Sequence, residues 1–139
     1  MRHARSAAAL VLLGLAIATA SADAGCAAPA PEAAPVVTPE LLMLGADVFR
    51  ERCSPCHGDR GRGDGLLAEV LPVRPRNYFE ESFRWGNQPA EIAETVRGGR
   101  SGVMPAFEGA LDAREIWAVA NLVHLWATGG AAAMEPASP

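Results

Sequence analysis

The stretch RERCSPCHGDRGRGDG sets Cys53, Cys56 and His57 within five residues and follows them with a glycine-rich run. Two thiols and an imidazole this close together constrain the chain before composition does, because few chemistries use them. A Cys-x-x-Cys pair serves as a redox dithiol, as half of a zinc site or as a covalent haem anchor. Zinc takes four ligands, and the chain has no second Cys or His pair, only a distant His124. A redox dithiol belongs in a β-rich α/β setting, and no run here alternates well enough to be a strand. Neither reading uses the adjacent histidine.

Covalent haem uses all three residues. Helical spacing sets Cys53, Cys56 and His57 within an arc of about 100°, so both thiols can add to the vinyl groups while the imidazole reaches iron from the same side. C-x-x-C-H is the attachment spacing of c-type haem. The candidates for the second axial position are Met43, Met104, Met134 and His124. Met43 falls on the polar side of the helix leading into Cys53, Met134 in the tail, and His124 off the packing face of its helix. Met104 lies 47 residues beyond His57 in RGGRSGVMPAF. There the glycines loosen the backbone and Pro105 biases Met104 towards an extended conformation. Such a loop can aim a thioether inward, and sulfur is a soft ligand suited to iron in both oxidation states.

Three segments read as helices, which makes the fold class all-α. The first starts at Thr38-Pro39, a hydroxyl cap followed by the residue best tolerated at the first helical position. Leu41, Leu42, Gly45, Val48 and Phe49 share one of its faces. A short helix runs from Pro89 to Arg97 and stops at Gly98-Gly99. The last opens on Asp112-Ala-Arg-Glu115, a capping-box pattern, and runs to about Ala127. Ile116, Val119, Ala120, Val123, Trp126 and Ala127 form its packing arc with Leu122 at the edge, while Trp117, Asn121 and His124 lie elsewhere and His124 reads as a surface residue.

The ends of the chain read differently. In residues 1–24, Arg2 and Arg5 precede an apolar run of about 14 residues from Ala7 to Ala20, and small residues follow. That is the layout of a cleaved secretory signal, and the run is shorter than the roughly 20 residues a spanning helix needs. Residues 25–37, mostly Ala and Pro, read as a semi-extended linker, residues 38–128 as the haem domain, and residues 129–139 as a disordered tail. Gly25-Cys26 stands at the end of the signal segment, so Cys26 is a candidate for lipid attachment and a membrane tether. Asp23 stands where such signals usually carry an aliphatic residue, and a free or intermolecularly paired thiol is the other reading. The formal charge is −4, from 16 acids against 12 basic residues, and all of the latter are Arg. An acidic chain without lysine sets nucleic-acid binding aside.

Read in order, GADVFRERCSPCHG, GRGDG, RPRNY, ETVRGGRSGVMPAF and REIWAVANLV resemble the monohaem class I c-type cytochromes of bacterial type, over about Thr38 to Thr128. The resemblance implies a class I cytochrome c-like fold around one covalent haem c, with N- and C-terminal helices that cross. Gly45 and Phe49 are then expected to meet the Val119 and Leu122 side of the last helix. The family often has an aromatic where Leu122 stands, so an aliphatic crossing is expected there. Many relatives also carry a proline after the glycine loop, whose carbonyl receives the other N–H of the proximal histidine; Leu66 holds that position here. RPRNY is the expected propionate-facing segment, with Arg76 as charge partner and Tyr78 or Trp85 as hydrogen-bond donor. The plainer reading of these is an exposed arginine and two core aromatics. GRGDG lacks the Lys-Ser/Thr ending of a phosphate loop and reads as a turn along the haem edge.

The function expected from this set is that of an exported, periplasmic one-electron carrier rather than an enzyme, with His57 and Met104 as axial ligands and redox proteins as partners. Its expected docking surface is the exposed haem edge, a small apolar patch in an acidic surrounding. Two alternatives stand beside it: a haem subunit held in a periplasmic oxidase or dehydrogenase complex, and a peroxidatic or gas-binding protein in which Met104 is displaced.

Overall fold

The computed structural model describes residues 33–100 and 102–129. The expected signal segment, the linker up to residue 32 and the tail from residue 130 lie outside the described residues, as does Ser101. Helix α1 spans Pro39–Val48, and the Thr38 hydroxyl caps it by accepting from the Leu41 N–H at 3.2 Å. The chain continues without a break through a π-helical turn, Phe49–Cys53, into the short α2, Ser54–His57. Helix α3 covers Pro89–Gly98 and α4 covers Ala113–Ala127. Among the described residues there are no strands, only isolated bridges at Arg100–Met104 and Glu108–Leu111.

The π-helical turn has no counterpart in what the sequence led us to expect. One wider turn rotates the residues that follow it relative to α1, and such turns cluster at functional sites. Here it delivers Cys53 into the core while Arg50, Glu51 and Arg52 stay exposed.

Helix α1 packs on α4 across Gly45. A Cβ there would lie 2.4 Å from the Ala118 carbonyl oxygen and 3.3 Å from the Leu122 Cβ, so the helices approach as closely as they do because residue 45 has no side chain. The expected meeting of Gly45 with Leu122 is present, with Ala118 beside it. Phe49 adds an edge-on contact with Trp126 at 4.8 Å between ring centroids, so the crossing has an aromatic component that Leu122 alone did not suggest.

Helix α4 departs from its expected single packing arc. Every residue from Ile116 to Val123 is buried, including Trp117 and Asn121. The reason is that α1 and α3 both lie against it, so one helix serves two partners and its polar stripe disappears. Asn121 is tolerated inside because its amide donates to the Trp117 carbonyl at 2.8 Å. His124 is half-buried rather than on the surface, and its Nδ1 lies 2.7 Å from the Asn87 carbonyl oxygen, tying α4 to the start of α3.

Candidate haem site

The core cluster contains Cys53, Phe49, Val48 and the inner faces of α3 and α4, and Tyr78, Phe83, Met104 and Trp126 pack against it half-buried. The site residues therefore share one apolar wall. Cys53 is buried and Cys56 half-buried, and no disulfide joins them. Burial, with Cys56 second, pushes the Cys53 thiol up to about 12, so it stays protonated. The same cause lowers His57 to about 4, which keeps the imidazole neutral with a lone pair to give.

Tyr78 stands next to His57. Its hydroxyl oxygen lies 2.8 Å from Nδ1, and the rings stack at 5.2 Å between centroids and 15° between planes. Burial raises the phenol far above its ordinary range, with Cys53 adding to the effect and Arg76 opposing it. Nε2 of His57 makes no hydrogen bond to the described residues, so the nitrogen on the other side of the ring is the one left for a ligand.

Met104 sits in a loop clipped back on itself. The Arg100 N–H donates to the Met104 carbonyl at 2.8 Å, the Met104 N–H donates to the Arg100 carbonyl at 3.0 Å, and the Phe107 N–H reaches the last turns of α3 at Val96. These bonds hold the methionine's backbone, while its side chain rests on the core.

The three residues expected near propionates are placed differently from one another. Arg76 donates to the Ser82 carbonyl and lies over the Phe83 ring at 5.3 Å. Trp85 is 52% exposed and is faced by Arg100 at 4.4 Å and by Arg84 at 5.4 Å. Tyr78 faces His57. Leu66, at the position where relatives carry the acceptor proline, has a 90% exposed side chain, and none of the hydrogen bonds of His57 goes to it.

Arg100 is the residue that the sequence did not single out. Its guanidinium donates to Thr95 and to the Gly99 carbonyl, yet its Nε is buried without a partner among the described residues. A buried cationic N–H left unpaired is costly, and an arginine inside the methionine loop gives no sequence signal that its Nε will be buried. The fit to haem follows from these observations. Cys53, Cys56 and His57 do not converge as ligands of one bare ion would, because no group of three such residues among those described is arranged to hold a metal. They lie along one turn, as a flat macrocycle requires, with a neutral imidazole on it, a thioether on the same core and an unpaired guanidinium N–H suited to a carboxylate.

Comparison with known proteins agrees. The family model described as cytochrome c oxidase, cbb3-type, subunit III matches residues 40–123. The cbb3-type cytochrome c oxidase subunit FixP of Bradyrhizobium sp. (strain ORS 278) is 40% identical over 58% of this chain, a match that takes in 26% of FixP. The chain thus spans about a quarter of the length of that relative. Cytochrome c6 of Euglena gracilis is 39% identical over 61% of this chain and 92% of its own length. A chain of the Kuenenia stuttgartiensis reducing HAO-like protein complex superposes with a TM-score of 0.61 at 28% identity, covering 65% of this chain and 45% of that one. The chain belongs to this cytochrome c family, as an all-α, monohaem class I c-type cytochrome domain with covalently held haem c.

Proposed function

We propose that this chain carries single electrons on its one haem c, held by thioethers to Cys53 and Cys56 and ligated by His57 and Met104. When bound, the haem supplies an iron that exchanges one electron between Fe(II) and Fe(III). The chain's residues do the rest. His57 presents a neutral imidazole from the turn that also carries the thiols. Met104 offers a thioether from a loop that hydrogen bonds fix at both ends, and this ligand favours the reduced state and raises the potential. With His57 and Met104 both offered to it, a bound haem would have two side-chain ligands and could exchange an electron without exchanging ligands. The buried, unpaired Nε of Arg100 is the donor for one propionate. With the His57 proton on Nδ1, the Tyr78 O–H has no acceptor among the described residues and is free to donate to another. Arg76 lies beside that tyrosine as a further positive charge.

The observation that carries this reading is the placement of Met104 on the core cluster that contains Cys53. Its test is redox titration and near-infrared absorption of the holoprotein and of Met104→Ala. Loss of the sulfur-to-iron charge-transfer band with a lower potential is expected; an unchanged band and potential would refute the ligand.

Export by the segment around Arg2, Arg5 and the apolar run from Ala7 to Ala20 delivers the protein to the periplasm, with Cys26 as its candidate lipid tether. Among the described residues no helix is long and apolar enough to cross a membrane. Donor and acceptor are redox proteins that dock where Leu66, Val70 and Val73 are exposed beside the CSPCH turn, to which the Leu67 N–H ties this segment through the Pro55 carbonyl at 2.8 Å. A second reading, a haem subunit held in an oxidase complex, is favoured by the matches to cbb3-type oxidase subunits. Size-exclusion chromatography of native extracts separates the two, since a free carrier elutes near its own mass.

A further inference from the structure

We propose that the Tyr78 hydroxyl is the acceptor for the Nδ1–H of His57, and that Tyr78 thereby sets the orientation and basicity of the iron's proximal ligand. The inference rests on the reading of His57 as an iron ligand through Nε2.

An imidazole that gives Nε2 to a metal and stays neutral carries its proton on Nδ1, which is then a donor in need of an acceptor. The oxygen of Tyr78 lies 2.8 Å away. Five carbonyls of the loop that follows His57 are engaged elsewhere. His57 itself accepts from Gly63, Gly58 from Gly61, Gly61 from Tyr78, and Gly65 from Ala68, at 2.9 to 3.0 Å. Gly63 accepts from the Arg74 guanidinium at 3.3 Å. No carbonyl of the loop is paired with the His57 ring.

Tyr78 is held in place from several sides. Its ring stacks with Phe83 at 5.7 Å and with Trp126 at 6.4 Å, and Phe49 meets it edge-on at 6.3 Å. Its N–H donates to the Gly61 carbonyl at 3.0 Å. Gly61 has φ 67°, and a Cβ there would lie 2.6 Å from the Tyr78 ring and 3.0 Å from the Trp126 ring. The glycine-rich run after CSPCH therefore leaves the space into which the tyrosine of RPRNY fits. Two segments that the sequence keeps apart meet on one nitrogen of the ligand.

A partner that accepts from the non-ligating N–H fixes the plane of the ring and makes the ligating nitrogen more basic. That stabilises Fe(III) relative to Fe(II), so Tyr78 opposes the effect of Met104 on the potential. Tyr78→Phe removes the oxygen and keeps the ring. In the full-length holoprotein it should raise the potential, shifting the ratio of reduced to oxidised protein at a fixed poise about fivefold, roughly 40 mV at about 59 mV per tenfold for one electron. The methionine charge-transfer band should persist. NMR of the reduced parent should show a slowly exchanging Nδ1–H with through-space contacts to the Tyr78 ring. An unmoved potential in haem-loaded Tyr78→Phe overturns the proposal, and so does an Nδ1–H whose contacts lie elsewhere. That second measurement needs no variant. A parent without covalent haem would remove the haem reading itself, an outcome distinct from either.

Discussion

Replacing Gly45 with alanine tests whether the closeness of α1 to α4 is what organises the fold. In an exposed helix interior this change stabilises by about 1 kcal/mol, because alanine loses less backbone freedom than glycine. Here the new methyl would lie 2.4 Å from the Ala118 carbonyl oxygen and 2.8 Å from its carbonyl carbon, roughly 1 Å short of ordinary contact. Those are backbone atoms of a helix whose Ala118, Val119 and Leu122 are almost completely buried, so no flexible side chain can give way. The helices must separate, and a gap of that order forfeits a quarter to a half of each dispersion contact along the seam. Overpacking of this kind costs about 3 kcal/mol, and subtracting the helical gain leaves about 2 kcal/mol of destabilisation. For a domain of this size that lowers Tm by roughly 8 to 16 °C. Thermal melting of the holoprotein, followed by far-ultraviolet circular dichroism, measures it. Gly98→Ala is the control, because a Cβ there would meet nothing within 4 Å, and it should be neutral or stabilising. A Gly45→Ala protein as stable as its parent would refute the reasoning.

Other outcomes follow from single residues. Asp112→Ala removes an acceptor that the Glu115 N–H reaches at 2.8 Å and breaks a reciprocal cap; it should cost about 1 kcal/mol in chemical denaturation. Cys53→Ser or Cys56→Ser should each leave one thioether, read as a shifted pyridine haemochrome band, whereas a zinc or dithiol site would show no haem in the parent. Glu40 is held below its ordinary 4.5 by a backbone hydrogen bond, then by the Thr38 hydroxyl. It therefore favours the folded state above that pH and ceases to as acid protonates it, so Glu40→Gln should flatten the acid side of the stability profile. The intact mass of the native mature protein should equal the cleaved chain plus one haem, with or without lipid on Cys26.

The sequence made the local features legible and left the convergent ones hidden. Thr38-Pro39 and Asp112 to Glu115 announced their helix starts because capping is a matter of three or four neighbouring residues. CSPCH announced the haem for the same reason, and the Met-Pro loop stood out by its glycines. The burial of α4 on nearly every side was not readable, because it depends on α1 and α3 arriving from distant parts of the chain. The resemblance places the partner of His57 on a backbone carbonyl of the loop that follows it without fixing which residue, whereas Tyr78 reaches it from 21 residues away through the space left at Gly61. Arg100 escapes notice because an arginine in a polar-looking loop carries no sign that its Nε will be buried.

The central claim, that Cys53, Cys56, His57 and Met104 together make a closed haem iron for electron transfer, is tested most directly by exposing the reduced native holoprotein to carbon monoxide at neutral pH. The account predicts an unchanged Soret spectrum on mixing, and rapid binding only after Met104→Ala. Rapid binding by the native protein would contradict it.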